Sequence, residues 1–101
     1  MRSRFAAYAL GLIDYVQRTT HPDSPHFETN TDAWTESVRG FCQLTRFETL
    51  AILSFTEDGD RATVTFRAGL TQSGHDASFT ECSTFLKQEG NWLYLSGTPE
   101  T

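Results

Sequence analysis

An α+β fold, with helices laid on one face of an antiparallel sheet, is predicted by three observations. Apolar residues before Phe47 recur at threefold and fourfold spacing. Beyond it they alternate, and Asp58-Gly59 and Gly90-Asn91 punctuate the alternating half as tight turns. With 101 residues the chain has room for one core, so residues 1–101 are expected to form a single domain.

The spacing predicts a first helix over Ser3 to Thr19. Phe5, Tyr8, Leu12 and Tyr15 or Val16 share one side, while Ala6, Leu10 and Ile13 make a second apolar side. Gly11 lies inside it, where a glycine lowers propensity by about 1 kcal/mol and suits the close approach of another element. His21-Pro22 stops the helix, because the residue before proline is pushed out of the α region. The stretch His21 to Thr31 reads as a loop. Asn30, Thr31 or Asp32 can cap a second helix carrying Trp34, Val38 and Phe41 on one face, with Gly40 and Gln43 to Arg46 marking its end.

From Phe47 the period is two. Leu50, Ile52, Leu53 and Phe55 suggest a first strand, turning at Glu57 to Asp60. Val64, Phe66 and Ala68 alternate with Thr63, Thr65 and Arg67 in a half-buried second strand. Gln72 to Asp76 reads as a longer loop, Phe79 to Leu86 as a third strand, and Trp92 to Leu95 as a last strand after the turn at Glu89 to Asn91. Four strands joined in succession make an antiparallel meander. Thirteen aromatic residues suffice to fill a two-layer core.

Thirteen acidic against eight basic side chains give a net charge of −5, with no basic stripe. Binding to a nucleic-acid backbone and a polybasic membrane patch are both disfavoured. The longest apolar run, Phe5 to Ile13, is too short to span a bilayer and lacks the pattern of a signal peptide. Cys42 and Cys82 stand far apart and outside any C-x-x-C, which favours two buried thiols in a reducing cytosol; cytoplasmic residence is the default expectation. No P-loop, dinucleotide fingerprint or G-x-S-x-G is present, and no cofactor is expected.

Chemistry concentrates on the third strand. Phe79, Glu81, Ser83 and Phe85 share parity, so if the two rings face the helices, Glu81 and Ser83 lie beneath them. A carboxylate there calls for a partner, and Arg2 and Arg4 are the candidates; either an ion pair docks helix to sheet or a polar group orients a ligand in an apolar pocket. Asp14 near a helix C-terminus opposes the dipole, which suggests a specific partner such as a loop amide, or a general base facing a cavity with Tyr15 or Tyr94 as donor. His21, Asp23 and His26 crowd one loop, but their spacing demands no metal, and none is assigned.

The residues taken together resemble the middle domain of the YchJ family. The resemblance is carried by Met1-Arg2-Ser3-Arg4-Phe5, Ala7-Tyr8, Gly11, Asp14-Tyr15, Thr20 and His21-Pro22. It continues through Gly40-Phe41, Phe66-x-Ala68 and Glu81-x-Ser83-x-Phe85, and ends in Gly90-x-Trp92-x-Tyr94-x-x-Gly97. It implies a cone of the nuclear-transport-factor-two type, helices closing over a curved sheet around a cavity, and makes a homodimer through the sheet plausible. Such folds host enzymes and plain binding modules alike, so fold alone assigns no activity. Relatives of that kind carry cysteine-rich zinc motifs like the one at the SecA C-terminus; this chain has no such cluster, and Phe47 stands where relatives tend to have Trp.

Two functional expectations follow. The first is a non-catalytic module binding a small molecule or a protein partner through Arg2, Arg4, Asp14, Tyr15, His21, Phe66, Glu81, Ser83, Trp92 and Tyr94. The second is a small isomerase- or dehydratase-type enzyme in which Asp14 or Glu81 removes a proton and a tyrosine donates a hydrogen bond.

Overall fold

The computed structural model describes residues 1–100. Three helices, α1 (Arg2–Leu10), α2 (Ile13–Arg18) and α3 (Thr31–Leu44), precede five strands. These are β1 (Thr45–Asp58), β2 (Arg61–Gln72), β3 (His75–Asp76), β4 (Phe79–Gln88) and β5 (Asn91–Pro99). The antiparallel sheet has the order β1-β2-β4-β5, with the two-residue β3 paired to the end of β2.

The expected first helix is two helices. Gly11 takes a left-handed φ of 70°, and backbone N–H groups beyond α1 close on the carbonyls of Ala7 and Tyr8. Gly11 thus acts as a C-cap. It admits no neighbouring element, since a Cβ there would meet nothing within 4 Å. The break turns α2 so that Val16 points inward beside Ala7. α3 is capped by Asn30, whose Oδ1 accepts from the Ala33 N–H at 3.0 Å, and it runs through Gly40 to Leu44 and straight into β1.

β2 is the spine of the sheet. Ala62, Val64, Phe66, Ala68 and Leu70 are all buried, as the alternation requires. The stretch Gln72 to Asp76 is a tight hairpin rather than a longer loop: Ser73 and Gly74 both have positive φ, the arrangement of a type I′ turn.

Three bulges curve the sheet, all on its outer strands. Glu48 and Leu53 are the extra residues of β1, so Phe47, Leu50, Ile52 and Phe55 all lie opposite inward residues of β2 despite their mixed parity. Leu95 is the extra residue of β5, which puts Tyr94 and Gly97 on the inner face together. Curved this way, the sheet meets the helices only along part of its inner face. One buried cluster gathers on it around Phe66 and Phe85, and a second in the helices around Val16 and Trp34. Cys42 and Cys82 are free and half-buried, a correction to the expectation of fully buried thiols. No helix among the described residues is long and apolar enough to cross a membrane.

Candidate functional site

Between the two clusters lies a cavity of about 540 Å³. Its walls come from α1 (Arg4, Phe5, Tyr8), α3 (Trp34, Val38, Phe41) and the inner face of the sheet (Phe47, Phe66, Ala68, Phe79), with His26 and Glu28 contributed by the loop before α3. The polar groups inside are few, as in most ligand pockets.

Arg4 is one of them, and it is only 7% exposed. Its Nη1 donates to the Val16 carbonyl at 3.2 Å and to the hydroxyls of Thr19 at 2.7 Å and Thr20 at 3.3 Å. The cation therefore fastens the C-terminal end of α2, where the helix dipole favours it. The guanidinium carbon stands 4.7 Å from the centre of the Tyr94 ring and 6.0 Å from that of Tyr8. Burial pulls the pKa of Arg4 below the usual guanidinium value, against the opposing pull of the neighbouring tyrosines.

Glu81 is the second. Its Oε2 accepts from the Ser83 hydroxyl at 2.6 Å and from the Tyr94 hydroxyl at 3.4 Å. The carboxylate folds over Gly97, where an added Cβ would sit 2.2 Å from Oε2 and 2.7 Å from Oε1. Only glycine leaves that room. Burial first, and then the Glu81 charge, push the Tyr94 hydroxyl up to about 12; burial likewise raises Tyr8 above its ordinary value. Both phenols therefore keep their protons near neutrality and can donate.

The backbone beneath this cluster is pinned by a short strap. Tyr94 N–H donates to the Thr19 carbonyl at 2.7 Å and His21 N–H to the Tyr94 carbonyl at 2.8 Å, so Thr20 pairs with Tyr94 as a parallel bridge. His21 is buried. Its Nδ1 accepts from the Asp23 N–H, so in the neutral ring the proton is on Nε2. The Gln88 amide nitrogen placed 2.9 Å from Nε2 is then better assigned as its oxygen.

Of the residues singled out from sequence, Arg4, Phe66, Glu81 and Tyr94 meet at the cavity, and Ser83, fully buried, supports Glu81 from behind. The expected ion pair between Arg2 or Arg4 and Glu81 is absent among the described residues: Arg2 is at the surface, and Arg4 spends its bonds on the end of α2. Asp14 is exposed and pairs with Arg18 at 2.8 Å. Because the helix breaks at Gly11, Asp14 falls in the first turn of α2, where an acid suits the dipole. It is not among the residues that line the cavity. Tyr15 donates to Ser3 and, with Trp92, lines a separate open groove. His21, Asp23 and His26 do not converge: no group of three His, Cys, Asp or Glu side chains among the described residues could hold a metal ion. His26 instead packs 6.0 Å from the Tyr94 ring. Tyr8 and Trp34 were missed as lining residues, although Tyr8 follows Arg4 by four positions and so shares its helix face.

Helices closing over a bulged antiparallel sheet, with an apolar cavity between them, define an NTF2-like cone. The solution structure of a SEC-C motif containing protein from Rhodopseudomonas palustris superposes with a TM-score of 0.84 at 34% identity, over 100% of this chain and 76% of that one. An LEH-like epoxide hydrolase from M. tuberculosis shares the fold at a TM-score of 0.67 and 16% identity, over 95% and 76% of the two chains. Residues 1–97 match the family described as YchJ, middle NTF2-like domain, and the chain belongs to that family. A UPF0225 protein from Vibrio vulnificus is 36% identical over 99 residues, 97% of this chain and 56% of that protein. The chain thus spans little more than half the length of that relative.

Proposed function

We propose that this domain is a non-catalytic binding module that takes a small, largely apolar molecule into the cavity between helices and sheet. The observation that carries this reading is the cavity's composition: largely aromatic and aliphatic walls around Arg4 and Glu81, with the exposed His26 and Glu28 also on the lining, and neither Arg4 nor Glu81 neutralised by an opposite charge within ion-pairing distance among the described residues. Polar groups so placed orient a ligand, and apolar walls supply its burial. A ligand-observed NMR screen with fragments tests it. Hits should compete for one site and be lost in Ala68→Phe, which fills the cavity. Hits indifferent to that substitution would overturn the reading.

A second reading is favoured by one contact, the hydrogen bond from Tyr94 to Glu81. A carboxylate beside a phenol donor in an apolar cavity is a reasonable proton-transfer pair. It predicts that a bound compound is turned over, and that Glu81→Gln stops turnover while leaving binding in place.

A further inference from the structure

Arg4 is a buried cation with one of its three guanidinium nitrogens engaged. Nη1 makes all three of the side chain's hydrogen bonds, to Val16, Thr19 and Thr20. Nε and Nη2 make none of ordinary length, though the Tyr8 hydroxyl acts on the guanidinium from nearby; no polar side-chain atom among the described residues is sealed off without a partner, so both nitrogens remain accessible. Arg4 borders both the cavity and the separate groove, and the rings its guanidinium faces, Tyr8 and Tyr94, belong to the cavity wall. No carboxylate of the described residues lies within 4 Å of it to balance the charge. A guanidinium stays protonated even when buried, and leaving it without a counter-ion is costly.

Glu81 does not fill that role. Arg4 lies over the Tyr94 ring, Glu81 lies off the Tyr94 hydroxyl, and no ion pair joins them. The two charges thus mark two separate points of the cavity, one for an anion and one for a hydrogen-bond donor. The anion point is the better built. Its cation is held by three acceptors and stacked on a ring, and a planar fork with two unused donors matches a carboxylate.

Building on the binding reading above, we infer that the cavity is a receptor for small apolar carboxylic acids, the carboxylate seated on Nε and Nη2 of Arg4 and the apolar body lying among Tyr8, Trp34, Phe47 and Phe66. An inorganic anion alone would leave those walls wet, and a neutral apolar compound would leave Arg4 unbalanced. Glu81 disfavours the reversed orientation, in which two carboxylates would face each other.

The test uses three compounds of one shape on the unaltered protein, 2-naphthoate, 2-naphthamide and 2-naphthylmethylammonium, followed by 15N-resolved NMR that includes the arginine Nε–H signals. The expected result is that naphthoate binds about tenfold or more tighter than the amide, as loss of a charge-assisted bond predicts, and shifts the Arg4 Nε–H signal. Arg4→Lys, which keeps the charge but not the fork, should narrow the gap, and Glu81→Gln should leave naphthoate binding intact or tighter. Equal binding of acid and amide would overturn the carboxylate assignment while leaving the pocket standing. Preference for the ammonium compound would overturn it in favour of Glu81 as anchor. No binding by any of the three, with fragments also failing in the screen, would overturn both readings.

Discussion

The sheet and the helical layer are built differently. On the sheet, five consecutive inward residues of β2 are sealed, and Phe85 and Tyr94 complete a continuous apolar surface. In the helices the buried apolar residues are Ala7, Val16, Trp34 and Val38, four residues spread over three helices. The layers join at one end through rings: Phe47 packs edge-on against Phe5 and Phe41 and stacks with Tyr8, with centroids 5.7 to 6.1 Å apart. Elsewhere they part, and the parting is the cavity. The larger sealed cluster lies on the sheet, and the helices wall the cavity.

The sharpest way to break that contrast is at Phe66, which is buried on the sheet and also lines the cavity floor. Phe66→Ala should cost about 3–5 kcal/mol in urea denaturation, the usual range for a core aromatic. A loss under about 1 kcal/mol would mean that the sheet is not where the stability lies.

Ser83→Ala is the next in size. Ser83 has no exposed surface, and its hydroxyl holds Glu81 at 2.6 Å. Removing it leaves a half-buried carboxylate with one long bond, from Tyr94, and should cost about 1–3 kcal/mol. Unchanged stability would show that Glu81 turns to water and is not a fixed group of the cavity.

Alkaline pH tests the same cluster without a large substitution. Tyr94 is held up to about 12 in the fold, against an ordinary value near 10. Its neutral form is therefore favoured in the folded state. The stabilisation is complete below about pH 10 and is lost as pH rises from there through about 12. Denaturation midpoints should fall across that window, and less so in Tyr94→Phe. Glu81→Gln should bring the phenol partway down in a 295 nm titration, since burial is the larger cause and persists. A Tyr94 that titrates near 10 would undo the enclosed cluster.

Much of this was legible beforehand because period and parity are local. β2 and β4 have no bulges within their own chains, so alternation placed Phe66, Glu81, Ser83 and Phe85 on the inner face correctly. The failures come where one residue changes the count. Gly11 takes a left-handed conformation that a run of apolar residues on both sides conceals, and the break moved Asp14 from the end of one helix to the start of another. Arg4 has three acceptors at the C-terminal end of α2, and that end could not be placed near Arg4 until the break was known.

Phe55 gives the smallest effect and the closest test of how the bulges act. By plain alternation from Ile52 it would face away from the helices. The extra residue Leu53 returns it to the inner side, opposite Val64. It is 59% exposed there, at the mouth of the open groove. Phe55→Ser should accordingly change stability by no more than about 0.5 kcal/mol, the range of surface substitutions. Val64→Ser, at the paired position, should cost several times as much because Val64 is sealed. Equal losses at the two positions would mean that the helices, or something seated in the groove, cover this end of the sheet as well, and the contrast between a sealed spine and an open rim would fail at that point.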